Sequence, residues 1–458
     1  MQCRTEATLK SEVKAADTPA GANGRLWVMV RALNSRNYRL FFAGQLISLI
    51  GNWIGQVAMS WLIYEITGSK TQLGVVAFSA QLPTFLLSPW AGVLVDRWNL
   101  QRTLIITQSL LSAQVLTLAI LTLSGVIRPM HIILLAVVQG MITAIDIPAR
   151  QAFVVKMVDR REDLSNAIAL NSTMFNASRL IGPAAAGALI ALVGTGYCLL
   201  INAMSYLAVL SSLAVIRVRQ PVTPRLRKKI RVEFREGFHY VAGSLPIRAL
   251  LIQLGLVSLL STPYTVLLPV FAKDVFRGGP GVLGGLTASI GLGAAVGGIR
   301  LASRRTVLGL GRWIAIGGVL EGVGLILLAL SGTAWVGMLC LVLCGFAQVT
   351  QMTSNNTLVQ TIVDDDKRGR VMAFHAMAFM GTMPLGSLLA GSLANGRLGA
   401  TGTVALCGVG CLLIGLRFGL QLPRLREAVL PIYQRCGILP APTEDSKDAQ
   451  ARLVAGGP

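Results

Sequence analysis

About twelve apolar runs fill this sequence from near Tyr38 to near Leu422, each close to the roughly 20 residues that a helix needs to cross a bilayer. No water-soluble core of a chain this long can take up so much apolar surface, so the folded state has to be a membrane protein. In hydrocarbon each backbone N–H and C=O must find its partner inside the segment, which makes runs of this length helices. Composition agrees: 53% of the 458 residues are hydrophobic, only 13% are charged, and mean hydropathy is +0.64. The expectation is an all-α membrane protein with twelve transmembrane helices.

The net charge of +21 raises the question of nucleic acid, and the placement of the basic residues answers it. Of the 41 Lys and Arg, 35 fall in the even-numbered connections and the two tails. Five fall in the odd-numbered connections (Lys70, Arg128, Lys273, Arg277 and Arg397), and Arg179 lies inside a span. That alternation follows the positive-inside rule and predicts both termini in the cytoplasm, with no nucleic-acid partner. The basic inner face would meet anionic lipid headgroups. Residues 1–36 lack the basic tip and apolar core of a signal peptide and read as a disordered cytoplasmic tail; residues 423–458 read as a second cytoplasmic tail, largely disordered from Glu427 to Pro458. Five of the seven cysteines (Cys198, Cys340, Cys344, Cys407 and Cys411) sit in apolar spans with no His or carboxylate beside them, so packing is expected and no metal site.

The hydrophilic stretch from Arg217 to Gly237 divides the spans six and six. It predicts an N-terminal bundle over 37–217, a basic linker over 218–245 whose second part is an amphipathic helix carrying Phe234 and Phe238, and a C-terminal bundle over 246–422. The halves repeat: "VDRREDLSNA" from Val158 leads after 24 residues to "GPAAAG" at Gly182, and "VDDDKRGRVMA" from Val363 leads after 23 to "GSLLAG" at Gly386, an offset near 205. Parallel repeats of six spans across a basic loop are a transporter architecture.

Two stretches add a resemblance. "GVLVDRWNLQR", Gly92 to Arg102, resembles the loop between spans two and three of the major facilitator superfamily. The segment from Asp146 to Gly187, together with "RGRVMAF" from Arg368, resembles the subgroup of that superfamily containing the enterobactin exporter. The resemblance covers about Tyr38 to Leu420 and implies the major facilitator fold. It also implies a cavity lined by spans one, four, seven and ten, and a latch in which Asp96 meets a helix N-terminus of the other half, with Gly92 allowing the close approach. Arg97 and Arg102 complete that loop. The equivalent loop from Gly297 has arginines but no aspartate, and Ala136 stands where the superfamily favours an arginine.

Periodicity alone places polar stripes on the same four spans, with span five added. Span one offers Gln45, Ser48, Asn52 and Gln56; span four Gln139, Thr143, Asp146 and Arg150; span five Ser172, Asn176 and Arg179; span seven Ser258, Thr262 and Thr265; span ten Gln348, Gln351 and Asn355. Each stripe is one helix face, and an ionised group at the bilayer centre costs about 3 kcal/mol or more, so these faces turn toward water or partners. Asp146 and Arg150 read as a gate trading partners with Asp96 and Arg102, as a static i, i+4 pair, or, for Asp146, as a proton carrier. Arg179 reads as a substrate contact or as a packing residue. Glu321, deep in span nine, is expected to be protonated or packed on a neighbour, and His375 to be packed.

An enzyme is not indicated: no nucleophile elbow, metal-binding His/Glu pair or phosphate loop is present, and "GSKT" at Gly68 lacks the glycine before lysine. A channel would need a ring of subunits. The expectation is a monomeric proton-coupled exporter of small organic molecules, siderophore-like or drug-like, in the cell membrane and without a cofactor. The alternative is a non-transporting scaffold or sensor of the same fold.

Overall fold

The computed structural model describes residues 31–95, 97–157, 163–216, 230–304, 306–364, 366–435 and 438. Eleven helical stretches among them are long and apolar enough to cross a membrane. One of these, Leu164–Val215, breaks at Gly194, where φ of 85° and ψ of 169° leave the helical region, so it counts as two and the twelve expected spans are present. Only glycine takes up that backbone without strain.

The first half comprises α1 (Arg36–Thr67), α2 (Lys70–Val95), α3 (Leu100–Leu123), α4 (Pro129–Met157), α5 (164–193) and α6 (195–215). The second comprises α7 (Ile230–Gly243), α8 (Leu245–Ser261), α9 (Pro263–Val270), α10 (Pro280–Ala302), α11 (Leu310–Leu330), α12 (Ala334–Ile362), α13 (Arg368–Met380), α14 (Met383–Asn395) and α15 (Gly399–Arg435). Span seven is α8 and α9 with a π-helical turn at Phe271–Val275; span eleven is α13 and α14. Each is broken next to a proline, Pro263 at the start of α9 and Pro384 in the first turn of α14. A proline there lacks an N–H that a first turn leaves unpaired anyway.

The outer surface is apolar: Leu420 is 82% exposed, Leu192 79% and Trp335 78%. So much exposed hydrocarbon on an all-helical body is a lipid-facing surface. Inside each bundle small residues set the helix spacing, as they must where lipid supplies no hydrophobic drive. Gly44, Gly51 and Gly55 of α1 lie against Ser212, Ser205 and Asn202 of α6, and a Cβ on Gly51 would fall 2.0 Å from the Ser205 Oγ.

The bundles meet the same way along two seams. Gly74 of α2 abuts Gly391 of α14, and Gly187 of α5 abuts Gly284 of α10, where a Cβ on Gly284 would lie 2.6 Å from the Pro183 carbonyl oxygen. These four glycines stand near the odd-numbered connections. Gly92, at the opposite end of α2, has open space where a Cβ would go. The close approach expected of Gly92 is therefore not made in this structure, because the seam that α2 shares with α14 is joined at its other end.

Order extends beyond the expected boundaries. A 3-10 turn at Arg31–Asn34, inside the stretch read as tail, is tied down by Ala32 N donating to Asn166 Oδ1 at 2.9 Å. The neighbouring Tyr38 hydroxyl donates to the Ala167 carbonyl at 2.8 Å. At the other end α15 runs past Leu422 to Arg435, since Leu425 and Val429 still bury against Ile247 and Val371. The amphipathic helix α7 docks on the C-terminal bundle, with the Phe234 ring 5.0 Å and the Phe238 ring 6.4 Å from that of Phe374. Arg370 pairs with Glu236 at 2.7 Å, and the Tyr240 hydroxyl donates to Asp364 Oδ2 at 3.0 Å. Burial, reinforced by the Asp364 carboxylate, pushes the Tyr240 hydroxyl above its ordinary pKa, so it stays a neutral donor.

Candidate functional site

Asp146 is 1% exposed and is held by three groups. Arg150, one turn on, forms an ion pair with Oδ2, while Oδ1 accepts from Thr107 Oγ1 at 2.8 Å and from Gln108 Nε2 at 2.7 Å, both on α3. A buried carboxylate is tolerable when paired and hydrogen-bonded, and this one is both. Beside it the Tyr206 hydroxyl donates to Asn52 Oδ1 at 2.6 Å, which links α6 to α1. Of the two residues expected to trade partners with this pair, Arg102 is exposed near the start of α3 and Asp96 lies outside the described residues; Arg97 of the same loop is also exposed.

Among the described residues, one polar bond joins the halves at mid-depth. Arg179 Nη2 of α5 donates to Gln348 Oε1 of α12 at 3.0 Å. Pro183, four residues on, lacks the N–H that would have bonded the Arg179 carbonyl, and Gly291 of α10 lets that freed carbonyl come close, a Cβ there falling 2.7 Å from it. Arg179 is thus fixed at both its backbone and its fork between the two bundles.

The other stripe residues divide. Asn52, Gln139, Thr143 and Asn176 are half-buried and Gln56 is exposed. Asn176 Nδ2 donates to the Ser172 carbonyl at 2.9 Å. Gln45, Gln351 and Asn355 are 1%, 3% and 0% exposed and turn into their own bundles instead. Ser258 donates to the Phe379 carbonyl at 2.8 Å, Thr262 to that of Ser258 at 2.7 Å and Thr265 to that of Thr262 at 2.7 Å, so these three stripe hydroxyls are spent on backbone near the break in span seven.

Gln351 and Asn355 join a network that the stripes did not reveal. Glu321 of α11 is 0% exposed. Ser261 donates to its Oε1 and Gln351 Nε2 to its Oε2 at 3.3 Å; Gln253 in turn donates to Gln351, and Asn355 Nδ2 to Gln253 Oε1 at 3.2 Å. The expectation of a packed Glu321 matches this placement. At the end near the odd-numbered connections, the Tyr64 hydroxyl of α1 donates to Asp274 after α9, and Lys273 Nζ lies 5.7 Å from the Tyr64 ring centre. Nothing in either sequence stretch marks this pair, since tyrosine and aspartate at span ends are common.

Comparison with known proteins agrees with this architecture. A family model described as a transmembrane secretion effector matches residues 30–433. The staphyloferrin A transporter of Staphylococcus aureus (strain NCTC 8325 / PS 47) is 28% identical over 83% of this chain and 95% of its own. The multidrug efflux pump Tap of Mycolicibacterium fortuitum is 25% identical over 82% and 93%, and the enterobactin exporter EntS of Salmonella choleraesuis (strain SC-B67) is 25% identical over 88% and 97%. Among solved structures, a bacterial homologue of the iron transporter ferroportin in an inward-facing state superposes with a TM-score of 0.66 at 18% identity, covering 84% of this chain and 98% of that one.

Proposed function

The chain belongs to the transmembrane secretion effector family of the major facilitator superfamily, a multi-pass bacterial membrane transporter, and on that premise we propose that it exports a small siderophore-like or drug-like organic molecule by alternating access, in antiport with protons. The observation that carries the reading is the bond from Arg179 to Gln348, a cationic donor from one half meeting an acceptor from the other at mid-depth. A guanidinium there is always charged and offers a bidentate fork, which suits carboxylate, catecholate or hydroxyl-rich ligands. The substrates named for the relatives, staphyloferrin A and enterobactin on one side and drugs on the other, support that class. With the basic connections taken as cytoplasmic, the joined glycine seams fall at the outer end, which supports reading this state as inward-open.

Inside-out vesicles test it with staphyloferrin A, enterobactin and a macrolide. Uptake of at least one on imposing an inward-acid gradient, and its loss when the gradient is collapsed, is the expected outcome. Binding without uptake of any would favour the scaffold or sensor alternative.

A further inference from the structure

The two halves treat their buried acids differently. Gln351 and Asn355 stand 205 positions after Asp146 and Arg150, the same offset that relates Val158 to Val363. Where the first half has an ion pair, the second therefore has two neutral amides, and its buried acid is Glu321 on the neighbouring helix. Both Glu321 oxygens are served by neutral donors, Ser261 and Gln351, and among the described residues no cation is paired with it. The titratable groups that face it are Cys344 of α12, Cys411 of α15 and Tyr264 of α9. Tyr264 is fully buried, its hydroxyl has no hydrogen-bond partner among the described residues, and it lies within electrostatic reach of both Glu321 and Arg179.

A carboxylate in hydrocarbon that is paired with a cation stays charged, whereas one surrounded by neutral groups can exist in either state if a neighbour can both give and take a hydrogen bond. The Ser261 hydroxyl is such a neighbour: it donates to the carboxylate and, turned about its C–O bond, accepts from the carboxylic acid. Asp146 differs in having a cation, Arg150, as its direct partner.

We propose that Glu321 is the proton-exchanging carboxyl of this transporter, and that the unpartnered Tyr264 hydroxyl passes its charge state to Arg179 at the cavity. One O–H bond forms when the carboxylate takes a proton from water on one side of the membrane, and the same bond breaks when water on the other side receives it. Ionised, Glu321 attracts the Tyr264 O–H dipole; protonated, it releases that hydroxyl, and the field at Arg179 changes with it. This inference rests on the proton-antiport reading, and its test is chosen so that the two can fail separately.

Infrared difference spectra of the purified protein between acid and alkaline pH read a carboxyl group without any substrate. The wild type should show a protonated-carboxyl band that Glu321→Gln lacks; a band unchanged in that variant overturns the proposal, whatever the substrate panel gives. In proteoliposomes, Glu321→Gln should lose gradient-driven accumulation of the transported probe (staphyloferrin A, enterobactin or the macrolide) while counterflow of the same probe persists without a gradient. Accumulation that survives, or counterflow that disappears along with it in folded protein, also overturns it. Should Glu321→Gln not fold, Ser261→Ala keeps the carboxyl and removes its switching hydroxyl. The pH midpoint of the band and that of transport should then move together, and a transport profile that stays put while the band moves refutes the role.

Discussion

Asp146 and Arg150 show how much a helical period can reveal and where it stops. Four-residue spacing gave the pair, and the structure has it as an ion pair with Asp146 at 1% exposure. The same spacing could not give Thr107 and Gln108, because a period fixes which face of a helix a residue is on and not which neighbour that face meets. The pair should behave as a unit. Asp146→Asn or Arg150→Gln alone leaves a partner uncompensated, a loss of about 3 to 5 kcal/mol for a buried pair. The double variant should recover part of it, since Thr107 and Gln108 can still hydrogen-bond an amide. Thermal unfolding and transport of all three variants measure the coupling, and strictly additive losses would make the two residues independent. Arg179 was legible from its depth, and its contact across the bundles was not. Arg179→Lys keeps the charge but loses the planar fork to Gln348, so ligand affinity in binding assays should fall while membrane abundance holds. Equal loss of both would leave Arg179 a packing residue.

At the scale of helices, the twelve spans were readable because hydrophobic length is the strongest constraint a bilayer imposes. Their ends were not. The continuation of α15 to Arg435 depends on Leu425 and Val429 finding a buried surface, which no local pattern announces. The breaks in spans seven and eleven were marked by Pro263 and Pro384 all along, but a proline in a span signals a kink as readily as an interruption. The glycine seams carry a steric prediction. Gly284→Val puts carbon where the Pro183 carbonyl and Gly187 Cα already are, 2.6 and 2.7 Å from the site of its Cβ, and neither is a flexible side-chain tip. The seam must open, so cysteines placed near the odd-numbered connections should become more accessible to an aqueous reagent, and transport should fall at unchanged expression. Gly92→Val, which meets open space in this structure, should leave that accessibility pattern as it is.

Across the whole molecule, the internal repeat was visible in sequence and the asymmetry laid over it was not. The offset that maps Asp146 onto Gln351 says nothing about an acid arriving on a different helix, because Glu321 has no counterpart in the motif it completes. The Tyr64–Asp274 bond is likewise a property of two halves brought together and not of either alone. Tyr64→Phe removes the donor without changing shape, so it should speed the opening of the odd-numbered end, seen as faster labelling there, and leave folding intact. Labelling rates equal to wild type would assign closure of that end to the glycine seams alone. Finally, the docking of α7 on the C-terminal bundle alters what joins the halves. The sequence between α6 and α7 is then residues 217–229, thirteen positions, and a chain of that length can bridge no more than about 45 Å. A connection of that length keeps each half at a high effective concentration for the other, so an encounter that would be bimolecular in the plane of the membrane becomes intramolecular. Halves 1–217 and 218–458 made as separate chains should therefore still find each other through the same glycines, with an activity that rises with their joint expression where the intact chain's activity per molecule does not.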